Sequence, residues 1–362
     1  MSSGTATGLD INELLVRVLE LGGSDLHVTV GRAPTMRLNG ALVELEAPVL
    51  TTQDTRELLY AILKQDQREA LERTWEYDFA HAIPGKARFR GNAYFQRGSV
   101  GAAFRLIPAE IKSFSELGLP PIIETFACKP RGFVLVTGPT GSGKSTTLAS
   151  IIDHINTHRS VNIITVEDPI EYLHHHQKSI VNQREVGSDT KTFGHALKFI
   201  LRQDPDVILI GEMRDLETVS AALTAAETGH LVFATLHTQD STQTIDRIID
   251  VFPPHQQQQV RIQLSATLQG IISQQLLPTL DGRSRVLATE TLVPTAAIRN
   301  LIREAKTHQL PTALQTGHQY GMCTMDESLA DLYRRGLIAY ETALSQASDP
   351  AVLKTLLGRT DK

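Results

Sequence analysis

The sequence predicts an α/β fold built on a mainly parallel sheet, preceded by a smaller α+β domain and followed by a helical region. Three observations carry this. The chain has 362 residues, enough for about two domains, each with its own core. From Gly132 onward, apolar strand-like runs alternate with helical stretches, the pattern of βαβ units. Residues Gly138–Ser145 read G-x-x-x-x-G-K-S, set between one of those apolar runs and a helix.

Composition narrows the function classes. The formal charge is −5, from 35 Lys+Arg against 40 Asp+Glu, which argues against coating nucleic acid through bulk charge. The two cysteines, Cys128 and Cys323, form neither a disulfide framework nor a Cys-x-x-Cys pair. That usage suits a reducing, cytoplasmic setting. The first residues lack the basic and apolar regions of a signal peptide. No apolar run reaches the ~18 residues that span a bilayer, so any membrane role is expected to be peripheral.

Taken in order, residues 1–9 are Gly/Ser/Thr-rich and expected to be disordered. Asp10 and Glu13 have capping-box spacing before Ile11, Leu14, Leu15, Val18 and Leu19, an amphipathic helix that packs into a core. Short strands are expected at Leu26–Val30 and Thr35–Leu38, with a hairpin turn at Asn39-Gly40. One helical stretch covers about Thr52–Thr74, and strands at Ala87–Gln96 and Val100–Leu106 complete a domain over 10–107. Pro108 and Pro120-Pro121 bracket a linker, 108–126. The larger domain, 127–362, then alternates strands at Phe133–Thr137, Val161–Val166, Val207–Ile210 and Leu231–Ala234 with helices over 144–157, 192–203, 216–228 and 241–251. From about Pro253 the chain reads as mostly helical, apart from Val286–Leu292.

The chemistry concentrates after those strands. Glycines in Gly138-Pro139-Thr140-Gly141-Ser142-Gly143-Lys144-Ser145-Thr146 let backbone N–H groups close around phosphates, and the helix that follows adds a dipole favourable to anions. Lys144 suits the β/γ-phosphates and Ser145 suits Mg²⁺. Glu212, just past the apolar run Val207–Ile210, can hold Mg²⁺ through water or orient the attacking water. Glu167 after Val166 is a second candidate for water activation. His237 after Leu236 can donate to a γ-phosphate. His230, before Leu231, is either part of the same rim or a packing histidine. His174–His176 cannot all face one ion and are expected to be solvated. Absence of an Asn-Lys-x-Asp guanine-reading pattern favours ATP over GTP.

No acidic residue occurs between Asp78 and Glu110, whereas Lys86, Arg88, Arg90, Arg97 and Arg105 do. The rim is expected to be acidic, with Glu167, Asp168, Glu171, Asp204, Asp206, Glu212, Asp215 and Glu217. Arginines from one subunit completing a neighbour's site, a solvated basic face and a nucleic-acid patch all remain open on the residues alone.

Gly138–Thr146, Thr165–Glu171, Ile210–Asp215 and Thr228–Thr238 resemble the Walker A, Asp box, Walker B and His box of secretion superfamily ATPases. That resemblance covers nearly the whole chain. It implies a PAS-like N-terminal domain, a RecA-like C-terminal domain, and a homohexamer binding ATP and Mg²⁺ between domains and subunits. His230 and His237 would couple the γ-phosphate to conformation, and Arg90 and Arg105 would act in trans. Ser24–His27, Ala297–Glu304 and Gln315–Asp326 are similar to signatures of the pilus-retraction branch, which drives twitching motility. This implies a motor at the cytoplasmic face of the inner membrane. Its partners would be a platform protein and an accessory retraction ATPase, with no nucleic acid. The tetracysteine zinc insert of the assembly branch is absent. From spacing alone, Ala297, Ile298, Leu301, Ile302 and Ala305 form an apolar helix stripe with Arg299 opposite.

Overall fold

A computed structural model describes residues 8–38, 40–107 and 110–358. Most of the expected leader, Asn39 of the hairpin turn and Pro108 of the linker therefore lie outside the described residues. The chain divides into two compact units, 1–110 with 169–173, and 111–168 with 174–362.

The first unit opens with α1 (Ile11–Glu20), whose N-cap Asp10 accepts from the Asn12 amide at 2.6 Å. Strands β1 (Asp25–Val28), β2 (Thr35–Leu38) and β3 (Ala41–Glu44) follow. The helical stretch then divides into α2 (Thr52–Ile62) and α3 (Gln65–Thr74). Leu63 is buried in extended conformation, and the Lys64 amide donates to Gln67 Oε1 at 2.9 Å, so a second N-terminal cap restarts the helix. Strands β4 (Glu76–Ile83), β5 (Ala87–Gln96) and β6 (Ser99–Ile107) complete a six-stranded antiparallel sheet, ordered β3-β2-β1-β6-β5-β4. Its core gathers Leu15, Leu26, Leu59, Phe89 and Phe104.

The second unit begins with α4 (Ile122–Ala127). The stretch expected as a linker packs in part: Leu119, Ile123 and Phe126 are buried in the same cluster as Val134 and Ile151. Next come β7 (Gly132–Thr137), α5 (Lys144–His158), β8 (Asn162–Glu167), β9 (Ile180–Glu185), α6 (Phe193–Ile200), β10 (Val207–Ile210), α7 (Leu216–Glu227) and β11 (Leu231–Leu236). The chain continues through α8 (Ser241–Asp250), α9 (Pro254–Thr267), β12 (Leu268–Pro278), β13 (Arg285–Leu292), α10 (Ala296–Arg303), α11 (Leu310–Gln315), α12 (Met325–Arg334), α13 (Tyr340–Gln346) and α14 (Pro350–Leu356).

These strands form one seven-stranded sheet, β13-β12-β7-β11-β10-β8-β9, parallel except for β13. Strands β7, β10 and β11 are buried along their whole length, as their uninterrupted apolar composition requires of strands covered on both faces. One face carries a core built with α6 to α11, the other a core built with α4 and α5. Two strands of this sheet escaped the sequence expectation, as did β4 in the first unit. β9 alternates apolar and polar residues weakly at the sheet edge, and β12 grows directly out of α9, so its start lacks a turn signal.

Helix α10 corrects a second expectation. Ile298 and Ile302 are buried and Leu301 half-buried, but Ala297 and Ala305 are exposed. Arg299, expected on the outer face, lays its guanidinium on the carbonyls of Ser265 and Ala266 at the end of α9. A cation there meets the negative end of the helix dipole.

Candidate nucleotide site

Strand β7 delivers the chain to Gly138, where φ is +139°. A Cβ at this position would stand 2.3 Å from the Gln274 carbonyl oxygen and 2.6 Å from Ser142 Oγ, so only glycine fits. Gly143, at φ +91°, caps α5. Between them the loop wraps the Lys144 side chain, whose Nζ donates to the carbonyls of Gly138 at 2.8 Å and Pro139 at 3.0 Å. Its charge is thus held against the loop's own backbone, in a cradle at a helix N-terminus suited to anions. Ser142 Oγ is buried there without a hydrogen-bond partner, a polar group whose desolvation only a ligand or solvent repays. Ser145 is exposed at the same helix start.

The floor of this cradle comes from β12. Thr137 Oγ1 donates to Ser273 Oγ at 2.9 Å, and Gln274 Nε2 donates to Thr147 Oγ1 at 2.8 Å, both pairs being buried. Sequence reasoning missed Ser273 and Gln274. Their signal was a polar dip inside the otherwise apolar Leu268–Leu277, since buried polar side chains need a partner at a defined place.

Because β7, β8, β10 and β11 run parallel, their carboxyl ends reach one edge, where open α/β sheets collect ligands. Glu167 ends β8 and accepts from Thr165 Oγ1 at 2.6 Å and Gln183 Nε2 at 3.1 Å. Gly211 abuts it: a Cβ on Gly211 would lie 3.2 Å from Glu167 Cα, and the Gly211 amide donates to the Val166 carbonyl. Glu212 follows, bonded by Arg214 at 2.6 Å and by His237 Nε2 at 3.1 Å. The Arg214 bond above all, and then the neighbouring His237, hold the Glu212 carboxyl below the usual glutamate range although burial opposes them. The structure therefore brings Lys144, Ser145, Glu167, Glu212 and His237 to one edge of one sheet.

Several expected rim residues lie elsewhere. His230 precedes β11 and sits at the opposite, amino edge, a strand of roughly 20 Å away from His237. Its Nδ1 bonds the Ala225 carbonyl at 2.9 Å, and its own carbonyl accepts from Gly132, so the packing alternative holds within this chain. Asp206 precedes β10 at that same amino edge, where its carboxylate accepts from the Asn162 amide at 2.9 Å, and Asp204 accepts there from the Asn162 side chain. Asp215 caps α7, and Glu217 pairs with Lys198 at 2.7 Å. Of the expected acidic rim, Glu167 and Glu212 are the carboxylates that end or follow adjacent parallel strands, with Asp168 beside Glu167 in the chain. The histidine run is not uniformly solvated either: burial and His175 push the His174 imidazole down to about 4.

In the first unit, Arg90 and Arg105 are direct partners across β5 and β6, both exposed. The same row continues to Asp25 on β1, whose Oδ1 accepts from Arg105 Nε at 2.8 Å. Burial raises the Asp25 carboxyl, but its bonds from Ser24 and Arg105 outweigh that and leave it below the ordinary aspartate value.

A family model described as "Type II/IV secretion system protein" matches residues 108–301. The chain is 48% identical to the Pseudomonas aeruginosa type IV pilus retraction ATPase PilT, over 94% of this chain and 99% of that protein. The chain belongs to the type II/IV secretion system protein family. Within it, similarity also extends to the type IV pilus ATPase PilU of Pseudomonas aeruginosa, 42% identical over 96% of this chain and 91% of that one. A crystal structure titled as the pilus retraction motor PilT with bound ADP superimposes with a TM-score of 0.91 at 52% identity, covering 96% of this chain and 99% of that one. The family match contains the phosphate loop, Glu167, Glu212, His230 and His237, whereas Arg90 and Arg105 lie before it.

Proposed function

We propose that this chain is an ATP-hydrolysing motor that powers type IV pilus retraction, and so twitching motility. The observation that carries the reading is the convergence of Lys144, Ser145, Glu167, Glu212 and His237 on the carboxyl edge of one parallel sheet, around a glycine-rich loop. A PilT of 48% identity over nearly its whole length supplies the choice of pilus retraction within the family. The first unit would correspond to a PAS-like domain and the second to a RecA-like domain with a helical C-terminal part.

In this reading the Lys144 ammonium exchanges the Gly138 and Pro139 carbonyls for phosphate oxygens. The orphaned Ser142 hydroxyl and the backbone of the cradle complete the anion site. Mg²⁺ fits the donors present: the Ser145 hydroxyl and the Glu212 carboxylate offer the hard oxygen ligands it requires. When bound it would neutralise charge developing on the phosphates. Glu212 spends its carboxylate on Arg214 and His237 and is held strongly ionised, which suits orienting a metal or water more than accepting a proton. Glu167, on the adjacent strand, is then the better water-activating base. His237 would register the γ-phosphate by leaving Glu212. His230 is given no part.

Arg90 and Arg105, paired on an exposed face, are proposed as fingers for a neighbouring subunit in a homohexamer. Rotation between the two units would be the working stroke of the motor. Among the described residues no helix is long and apolar enough to cross a membrane. The motor would therefore act peripherally, at the cytoplasmic face of the inner membrane, on a platform protein. The test is twofold. Lys144→Ala and Glu167→Gln should abolish ATP hydrolysis, and the wild-type gene should restore twitching to a Pseudomonas aeruginosa strain lacking PilT. Normal turnover in both variants would sink the enzymatic reading. A second reading, an accessory pilus ATPase, has the 42% identity to PilU in its favour; restoration of a strain lacking PilU, but not one lacking PilT, would select it.

A further inference from the structure

We propose that Gln183 positions the Glu167 carboxylate for its task, by tying it through one side-chain amide to the returning end of the loop that follows β8. Gln183 lies on the edge strand β9, in register with Thr165 of β8, two residues before Glu167. Its Oε1 accepts the His174 amide at 2.8 Å, while its Nε2 donates to Glu167 Oε1 at 3.1 Å.

That arrangement has only one polarity. A backbone N–H can only donate, so the amide oxygen of Gln183 must face His174. Its NH₂ group is then directed at Glu167, where it stabilises the ionised form. Thr165 Oγ1 donates to the same carboxylate oxygen at 2.6 Å, so donors from two strands fix one oxygen. One carboxylate oxygen is thus tied to β8 and β9 together. Gln183 touches neither the phosphate loop nor Glu212 in these contacts, which makes it a positioning residue.

Three carboxylates stand close to Glu167 in chain or register: Asp168 next in the chain, Glu185 opposite it on β9, and Glu212 beyond Gly211. Gln183 adds a neutral donor to the Glu167 carboxylate beside that of Thr165. A carboxylate in its place would face a carboxylate and oppose ionisation of Glu167. The inference rests on the proposed role of Glu167 in hydrolysis, and the experiment separates the two.

The kcat–pH profile for ATP hydrolysis is measured for the full chain and for Gln183→Glu, Gln183→Met and Glu167→Gln, with circular dichroism and melting as folding controls. For Gln183→Glu we expect the acidic limb to move up by about one pH unit. For Gln183→Met we expect kcat to fall about tenfold, with KM for ATP changed less than about twofold, because the lost contact orients the base and binds no substrate. Wild-type turnover by Glu167→Gln removes the base reading beneath the proposal. An inactive Glu167→Gln together with a Gln183→Glu profile that overlays the wild type overturns the proposal itself. So does a lowered melting temperature with the limb unmoved, the signature of a merely structural glutamine. Should Gln183→Glu fail to fold, Gln183→Met decides, and unchanged kcat overturns the idea.

Discussion

Asp206 and Glu212 flank the same four-residue strand, β10, and are held in opposite ways. At the amino edge, Asp206 accepts a backbone amide of Asn162 and returns its own amide to the Asn162 carbonyl, so its position is part of the sheet. His230 is held similarly, by the Ala225 carbonyl and the Gly132 amide. At the carboxyl edge, Glu212 is held only by the side chains of Arg214 and His237, Lys144 is folded on its own loop, and Ser142 Oγ has no partner. Asp206 cannot change partners without disturbing strand pairing, whereas the bonds of Glu212 and Lys144 lie outside the strand ladders and can be exchanged for a ligand. The same residue types thus build structure on one edge and a site on the other.

Substitutions on the two edges should separate activity from stability. The largest effect is expected from the carboxyl edge: Lys144→Ala or Glu167→Gln should lower kcat by roughly 10²–10⁴-fold with an unchanged melting temperature, measured by coupled ATPase assay and calorimetry. Comparable loss from an amino-edge variant would break the contrast. Asp206→Ala should do the reverse, costing about 1–2 kcal/mol of stability in denaturant titration while kcat stays within about twofold. His230→Phe should cost about 1 kcal/mol with the same preserved turnover, and a severe loss of hydrolysis would return His230 to the machinery.

Acid titration tests the contrast more finely. Glu212 ionises below the ordinary glutamate value of 4.5 when folded. Its contribution to stability is therefore complete above about pH 4.5 and is lost as pH falls through the lower folded value. Glu212→Gln removes that dependence, so the melting temperatures of wild type and variant should converge as pH is lowered from 5 toward 3. The smallest effect is chemical. Cys323 pairs with Thr291 at the level of Val136, and burial with nearby Glu327 and Glu290 pushes its thiol up to about 11. Cys128, before β7, is exposed. At pH 8, iodoacetamide should label Cys128 and spare Cys323, read by peptide mass.

Much of this was legible in the chain. The phosphate loop was legible because glycine, lysine and serine at fixed spacing have no equally good structural use, and the buried strands because nothing polar interrupts them. Glu167, Glu212 and His237 were legible because each follows a strand. Asp204 and Asp206 were expected on the rim although each precedes its strand, and direction alone decides the edge in a parallel sheet. What local pattern could not carry was β12. Its polar residues Ser273 and Gln274 acquire meaning only opposite Thr137 and Thr147, partners supplied by sheet order. Gln183 was hidden for the same reason, since its role depends on the register of β9 against β8.

The contact between Gln274 and Thr147 spans 127 positions, and that between Ser273 and Thr137 spans 136. A ribosome that has just released the glycine loop has therefore made a motif whose floor has yet to be translated. At roughly 5–20 residues per second, about 6 to 27 seconds separate the two events. Through that interval the loop lacks the strand that supports it, because Ser273 and Gln274 have not been synthesised. Nucleotide binding should thus appear late on nascent chains, after the strand at Leu268–Pro278 has emerged from the exit tunnel. The motif that announces this protein most clearly in sequence is then among the last parts of it to become competent.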